Sequence, residues 1–258
     1  MGSFFFYCLS LQLDFDKNRN DINKIKKFYD LEHMKIEKDT LDYDAMGDDH
    51  VGSSSETPLR QDAFELSATE KIDLIKGDVK HIMETLGLDL TDDSLQGTPH
   101  RVAKMFVNEI FSGLNPANKP NASTFDNKYK YGEMLVEKNI TVYSTCEHHL
   151  LPIVGKAHIA YISNGTVVGL SKMNRIVDYF AKRPQVQERL TIQIVKELQD
   201  VLNTQDVACV VDAKHLCVNS RGIRDVASST VTSEFGGVFK NKETKREFLD
   251  YISLDTTF

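Results

Sequence analysis

The chain has 258 residues, 41% of them hydrophobic, which is enough to bury the core of one domain that also carries an appendage. Its four cysteines follow no regular spacing and no segment has the length of a membrane span, which argues against a disulfide-rich secreted scaffold and favours a cytoplasmic protein without a membrane partner. The net charge of −7 lies mostly in residues 1–66, with 14 acidic and 8 basic residues, so no chain-wide basic surface for nucleic acid is expected.

Residues 1–66 are predicted to form an N-terminal extension that is largely disordered or loosely structured. They are polar, contain an acidic run over residues 42–49, and end in a linker-like stretch at residues 52–55 (GSSS). Apolar positions within residues 21–38 fit one short helix. Three roles stay open for this extension: a regulatory segment, a partner-binding tail or a dispensable leader.

Two helices are predicted within residues 67–115. Ser67 and Glu70 form the capping-box pattern that satisfies the first amides of a helix, and apolar residues at helical spacing follow them. Gly87 suits the end of this helix. The Thr-Pro pair at residues 98–99 is typical of a helix start and predicts the second helix.

The apolar pattern changes to the period of a β-strand after residue 139 and predicts two strands that meet near residues 146–149. Four further elements are predicted: a helix capped by Ser171 and ended by Pro184, a longer helix over residues 186–202, and strands over residues 207–212 and 215–221. The order helix, helix, strand, strand, helix, helix, strand, strand indicates an α+β fold with an antiparallel sheet.

Cys146, His149 and Cys217 have the character of a catalytic metal site. Zinc binds thiolate and imidazole ligands together, and three protein ligands leave one coordination position open for a water. Two of the four cysteines and three of the eight histidines fall in the two short segments that hold these residues. On the predicted strand, His215 and Cys217 would lie on one face. The alternative, a buried cysteine and ordinary hydrogen-bonded histidines, stays open at this point.

Four long motifs then occur in a fixed order. They are STCEHH at residues 144–149, GLSKMNR at 169–175, RPQVQERL at 183–190, and HxCxxxRG at 215–222. With these motifs the chain closely resembles the GTP cyclohydrolase I family, over about residues 68–249, including GTPHRVAKM at 97–105. Motifs of this length and order are specific, whereas the first 66 residues lie outside the similarity.

The resemblance implies the tunnelling fold (T-fold), an antiparallel sheet with a ββααββ core preceded by N-terminal helices. It implies a catalytic domain over residues 67–258, with the helices at 67–115 and the T-fold core at 135–250. It also implies a toroidal homodecamer with active sites between subunits. The implied reaction converts GTP and water to 7,8-dihydroneopterin triphosphate and formate, the first step of folate or tetrahydrobiopterin biosynthesis. A feedback regulatory protein is a further candidate partner.

The resemblance also implies roles for particular residues. Cys146, His149 and Cys217 would bind zinc (Zn2+), which activates a water for attack on purine C8. His148 and His215 would transfer protons, unless they only support the ligands through hydrogen bonds. The substrate-binding positions are Glu188 and Gln187 for guanine, Lys172, Arg175 and Arg221 for the triphosphate, and Arg101 and Lys104 as further cations. Ser171 would act on the ribose or serve as a plain helix cap, and Glu147 receives no role.

Two other classes of function are weighed against this one. Pterin synthases and a deazapurine nitrile reductase share the T-fold, but the reductase needs a nucleophilic cysteine and a motif that this sequence lacks. A zinc-stabilised binding module or inactive regulatory subunit is expected to have lost His148, His215 or Glu188, and all three are present. The sequence therefore favours the cyclohydrolase.

Overall fold

The computed structural model describes residues 54–255. Most of the predicted N-terminal extension, including its helix at residues 21–38, lies outside them. The helices are α1 (Ala68–Thr85), α2 (Thr98–Met105), α3 (Leu170–Ala181), α4 (Gln187–Leu202), α5 (Leu216–Asn219) and α6 (Lys242–Ser253), with a π-helical turn at Phe106–Ile110 and 3-10 turns at Ser112–Leu114, Pro116–Asn118 and Gly237–Lys240. The strands are β1 (Thr124–Asp126), β2 (Met134–Cys146), β3 (Pro152–Ile162), β4 (Thr166–Val168), β5 (Pro184–Gln185), β6 (Val207–His215) and β7 (Thr230–Phe235).

Five of the strands form the central sheet in the order β5-β2-β3-β6-β7. Neighbouring strands are antiparallel, except that the short strand β5 pairs with β2 in parallel. Strands β1 and β4 form a separate antiparallel pair. The predicted mixture of helices with an antiparallel sheet is therefore confirmed.

Helix α1 begins where the capping pattern predicts. The Ser67 amide donates to Glu70 Oε2 at 2.7 Å, and the Glu70 amide donates to Ser67 Oγ at 3.3 Å. The chain leaves this helix through Gly87, whose φ of 83° is a left-handed conformation that glycine adopts without steric cost. Helix α2 begins at Thr98, as predicted, and continues into the π-helical turn.

Helices α3 and α4 cover one face of the central sheet. Both are amphipathic, and their apolar sides are buried together with the strand residues that face them; the largest of their fully buried side chains are Met173, Ile176, Leu190, Ile194, Leu198 and Leu202. Burying each such side chain contributes about 1.5–3 kcal/mol, so this layer fixes both helices on the sheet. On the opposite face, Phe248 of α6 packs against Phe239, with ring centroids 5.9 Å apart. No helix within residues 54–255 combines the length and apolar content needed to cross a membrane.

The predicted strand at residues 215–221 is wrong. Strand β6 continues to His215, the chain then enters the short helix α5, and the last strand of the sheet is β7, further along the chain. The amide and the hydroxyl of Ser220 both donate to the Leu216 carbonyl, at 2.9 and 2.6 Å, so local hydrogen bonds replace those of a strand. Cys217 therefore lies on a helical turn, and alternation along a strand does not place it beside His215.

The prediction that Ser171 caps helix α3 is also wrong. Gly169 is the N-cap residue, with extended backbone angles, and the Lys172 amide donates to its carbonyl at 2.8 Å. The helix thus begins earlier than predicted. Ser171 lies in its first turn with an exposed side chain, and its hydroxyl does not cap the helix.

The order of the strands brings the ends of β2 and β6 to one edge of the sheet. Both strands run antiparallel to β3, which lies between them, so they run in the same direction and end side by side. Ser144 in β2 and His215 in β6 both pair with Ile153 of β3. Two strands separated by a third lie about 10 Å apart, a gap that the segments following β2 and β6 can bridge.

Residues 54–57, here called the strap, run along helix α4. Their partners recur at helical spacing on one face of that helix: Arg189 Nε donates to the Ser54 carbonyl (2.8 Å), Gln193 Nε2 donates to the Ser55 carbonyl (3.1 Å), and Lys196 Nζ pairs with Glu56 (3.0 Å). The strap is therefore bound to the same domain as the sheet.

Candidate active site

The three predicted metal ligands come together at the sheet edge. Cys146 ends β2, His149 lies in the turn that follows, and Cys217 lies on α5. Their donor atoms all lie within 4.8 Å of one another. Two sulfurs bound to one tetrahedral zinc ion would lie about 3.8 Å apart, so a small contraction is enough to complete such a site. The donor set and its spacing fit a zinc ion.

Residues 146–150, here called the metal turn, are held by main-chain hydrogen bonds. The Leu150 amide donates to the Cys146 carbonyl at 2.9 Å, and the Glu147 amide donates to the carbonyl of Gln185 in β5 at 3.0 Å. Leu150 has a φ of 52°, a left-handed conformation that costs a residue with a side chain on the order of 1 kcal/mol. The backbone thus fixes the turn that carries two of the three ligands.

The two sulfur ligands influence each other. Cys146 is buried and Cys217 is half-buried beside it. Burial, together with the Cys146 sulfur, raises the pKa of the Cys217 thiol above its ordinary value. Two adjacent thiolates repel each other, so both lose their protons readily only when a cation lies between them. This pair is suited to binding a metal ion.

His148 and His215 lie next to the ligands. His148 Nδ1 is 3.6 Å from the Cys146 sulfur. Burial lowers the pKa of His215, the negative charge of Glu188 opposes that effect, and the positive charge of His148 adds to it. The predicted proton-transfer pair and the predicted guanine-binding carboxylate therefore share one site, although they lie far apart in the sequence.

Gln187 is fully buried and holds His215. Its Nε2 donates to the carbonyls of Val211 and Thr230, at 3.0 and 2.8 Å, and its Oε1 lies 2.8 Å from His215 Nε2. Because both amide hydrogens point at carbonyls, Oε1 must accept the hydrogen bond from His215. The amide orients the imidazole, and because Gln187 is 1% exposed, its side chain has little surface for a direct contact with guanine.

Glu188 is the second residue of helix α4 and is exposed. Its neighbours Gln187 and Arg189 are both buried, so the Glu188 carboxylate lies between two anchored side chains. A helix N-terminus favours a carboxylate, and its two oxygens can accept two parallel N–H groups. This position is compatible with the predicted recognition of guanine.

The predicted phosphate-binding cations lie on three elements. Lys172 and Arg175 are on α3, and Arg221, which is exposed, follows α5, four residues after Cys217. Arg101 and Lys104 are on α2, which packs mainly against α1 and the π-helical turn rather than on the sheet edge. Within the described chain, Arg221 therefore follows the helix that carries Cys217, whereas the other four cations lie on α2 and α3.

Comparison with known proteins decides the family. The model of the GTP cyclohydrolase I family matches residues 75–253. The chain belongs to the GTP cyclohydrolase I family. This membership confirms the resemblance found in the sequence motifs.

Relatives of the GTP cyclohydrolase I family match most of the chain. A protein of Flavobacterium johnsoniae named GTP cyclohydrolase 1 is 74% identical over 215 residues, which cover 83% of this chain and 96% of the relative. Proteins with the same name from Aeromonas salmonicida and Citrobacter koseri are 55% and 53% identical, over 75% and 77% of this chain and 88% and 90% of their own lengths.

Arg189 and Asn219 make contacts near the site that the motifs did not predict. Arg189 is 3% exposed and pairs with Glu147 of the metal turn, from Nη1 to Oε2 at 2.5 Å and from Nη2 to Oε1 at 3.3 Å. The Asn219 side chain donates to the carbonyls of Asp225 and Ser228 and so holds the loop that begins at Arg221. Glu147 and Arg189 are 42 residues apart, so no local pattern predicts their contact, whereas the Asn219 bonds span six and nine residues and depend on the shape of the loop.

Proposed function

We propose that this protein is a zinc-dependent GTP cyclohydrolase that converts GTP and water to 7,8-dihydroneopterin triphosphate and formate. The observation that carries the proposal is the convergence of Cys146, His149 and Cys217, with His148 and His215 beside them, in a chain of this family. The shared name of the relatives, GTP cyclohydrolase 1, supports the same reaction.

The histidines supply the proton transfers of the proposed reaction. Zinc held by the Cys-His-Cys set would supply a water-derived nucleophile near neutral pH. Opening the guanine imidazole ring at C8 requires a proton on a ring nitrogen and cleavage of a C–N bond. His215 Nε2–H donates a hydrogen bond to Gln187 Oε1, so Nδ1 is the nitrogen that can accept and return a proton. Its lowered pKa keeps the imidazole largely neutral at pH 7, as a base requires. His148 is the proposed second proton carrier.

The remaining candidates recognise the substrate. The Glu188 carboxylate would accept hydrogen bonds from N1–H and from the exocyclic amine of guanine. Gln187 would orient His215 through its hydrogen bond to Nε2. Lys172, Arg175 and Arg221 would bind the triphosphate, because several cations are needed for its charge, and Arg101 and Lys104 are proposed additions. The Ser171 hydroxyl, which the helix does not use as a cap, would act on the ribose during its rearrangement.

We extend the proposal to the assembly. Tyr143, Val154 and Val231 are exposed on one face of the sheet, outside the part that α6 covers. A T-fold homodecamer with active sites between subunits would bury this face. The proposed catalytic domain spans residues 67–258, with residues 1–66 as an extension. Its product would enter folate or tetrahydrobiopterin biosynthesis in the cytoplasm, with a feedback regulatory protein as a further partner.

Metal analysis and a formate assay test the proposed function. Purified protein should contain about one zinc ion per chain and release formate from GTP. Cys217→Ser should lose zinc and activity together, because it removes a ligand. Cys209→Ala is the matched control, since Cys209 is buried in the core away from the ligand set. Formate release by zinc-free protein would contradict the metal mechanism, and folded wild-type protein with neither zinc nor formate release would contradict the reaction.

A further inference from the structure

We propose that Glu147 and Arg189 form a positioning clamp that fixes the metal turn against the N-terminus of the helix that carries Glu188. The inference deepens the proposed function and rests on it for the role of Glu188. Glu147 lies between the ligand Cys146 and the proton-transfer candidate His148, and Arg189 directly follows Glu188. The clamp therefore joins the metal-binding side of the site to its guanine-binding side.

The geometry of the pair is that of a bidentate contact. Two guanidinium nitrogens of Arg189 meet the two carboxylate oxygens of Glu147, at 2.5 and 3.3 Å. The third nitrogen, Nε, donates to the Ser54 carbonyl of the strap at 2.8 Å. Paired contacts of this kind fix direction as well as distance, which a single contact between point charges does not.

Burial gives the clamp its importance. The Arg189 side chain is 3% exposed and that of Glu147 is 22% exposed, so water screens the pair poorly. Removing one partner of such a pair leaves the other charge buried without compensation. The metal turn would then have to move to let water reach Arg189.

The clamp works together with a second contact on the other side of Glu188. Gln187 binds His215, and Arg189 binds Glu147, so the residues before and after Glu188 are both anchored to the metal-binding half of the site. Glu188 itself is exposed between them. Because the residues on both sides of Glu188 are anchored, the distance from its carboxylate to the metal ligands is fixed. Misplacement by about 1 Å in such a site can lower turnover about 100-fold.

The test compares Glu147→Gln with Glu197→Gln, both made in the full-length chain. Glu197 lies on the same helix and is also largely buried in an ion pair, with Lys119 at 2.7 Å, so it is a matched control outside the site. Zinc-saturated Glu147→Gln should show kcat lowered about 10–100-fold, with KM for GTP changed less than about threefold. Its zinc affinity, measured by chelator competition, should be about 10-fold weaker. Glu197→Gln should have the same kcat, KM for GTP and zinc affinity as the wild type.

A double variant tests the coupling. Glu147→Gln combined with Arg189→Met should be about as impaired as the worse single variant, because each change breaks the same contact. Arg189→Lys keeps the positive charge but cannot make the bidentate contact, so it should also lower kcat. It replaces Arg189→Met if that variant does not fold. Independent, multiplicative losses in the double variant would overturn the clamp.

Two further outcomes also overturn it. One is a lower melting temperature of Glu147→Gln with unchanged kcat per zinc-loaded chain, which would make the pair merely structural. The other is an unchanged zinc affinity relative to Glu197→Gln. Wild-type protein that releases no formate would refute the proposed function instead. In that case zinc affinity alone tests the clamp. Weaker zinc binding by Glu147→Gln than by Glu197→Gln would support it.

Discussion

At the scale of single residues, the buried amide of Gln187 determines which nitrogen of His215 carries a proton. Its two N–H groups are used by the carbonyls of Val211 and Thr230, so its oxygen faces His215 Nε2. A neutral imidazole with its proton on Nδ1 would place two acceptors against each other in a buried site, at a cost of about 1–3 kcal/mol. The fold thereby selects the tautomer before substrate arrives.

Replacing Gln187 with Leu should therefore reduce turnover and leave the metal in place. His215 would lose its orienting acceptor, and we expect kcat to fall about 10–100-fold while zinc content stays near one per chain. Stability should fall by about 1–3 kcal/mol, since the buried Val211 carbonyl and the partly buried Thr230 carbonyl lose their donor. Steady-state kinetics, metal analysis and urea unfolding measure these effects. Gln199→Leu makes the same substitution on the same helix but removes only an exposed bond to the Gln205 carbonyl, and it should leave kcat unchanged. Equal kcat for the two variants would contradict the orienting role.

His158 should make the protein less stable in acid. Burial, with a contribution from Lys156, lowers the pKa of His158, and Asp212 only partly opposes this. The unfolded chain therefore binds a proton at this histidine more readily than the folded chain, so the free energy of unfolding should fall as pH drops from 7.5 to about 5. His158→Gln should make that fall smaller, as measured by urea unfolding across this range. His81→Gln, at an exposed site on α1, should keep the wild-type slope. If the unfolding free energy of His158→Gln falls with pH as steeply as that of the wild type, His158 is not the cause of the acid sensitivity.

At the scale of elements, the sequence predicted that Cys146, His149 and Cys217 would come together, but it did not predict the helical turn that carries Cys217. Capping at Ser67 and the alternation in β2 and β3 are local signals, and the elements they predict are present. The switch from β6 to α5 at His215 has no such signal. The residues of α5 include Val218, which favours strands, and the helix forms because Ser220 bonds back to Leu216. Pairings such as Glu147 with Arg189 are tertiary, so no window of sequence contains both partners.

The strap offers a test at the same scale. Glu56→Lys replaces an ion pair with Lys196 by a repulsion, and should loosen residues 54–57 from helix α4. Global stability should change by less than about 1 kcal/mol, because exposed ion pairs contribute little. Hydrogen exchange of the strap amides should become faster, since that exchange reports local opening. Glu84→Lys creates the same kind of repulsion, with Lys80 on α1, and should leave strap exchange unchanged. Equal exchange in both variants would show that the strap is held without Glu56.

At the scale of the whole molecule, the sheet has one face that its own helices cover only in part. Helix α6 packs over the portion that contains Ala160 and Val210. Nearer the metal turn, Tyr143 pairs directly with Val154 across β2 and β3, and both side chains are exposed. Apolar residues that adjoin on an exposed sheet face are typical of an interface, and this one lies at the edge that carries the proposed metal ligands.

Tyr143→Glu should therefore break the proposed assembly without unfolding the subunit. Tyr143 is 58% exposed in the single chain, so a charge there costs little in an isolated subunit but would be buried in a decamer. We expect native mass spectrometry to show smaller species, with zinc retained, because Cys146, His149 and Cys217 belong to one chain. Formate release should fall together with the decamer if each active site draws residues from two subunits. Tyr129→Glu, at a residue that is 96% exposed, is the control and should keep the wild-type mass and activity. A decamer that survives Tyr143→Glu would remove this face from the interface, and full activity in the smaller species would show that one subunit contains the complete site.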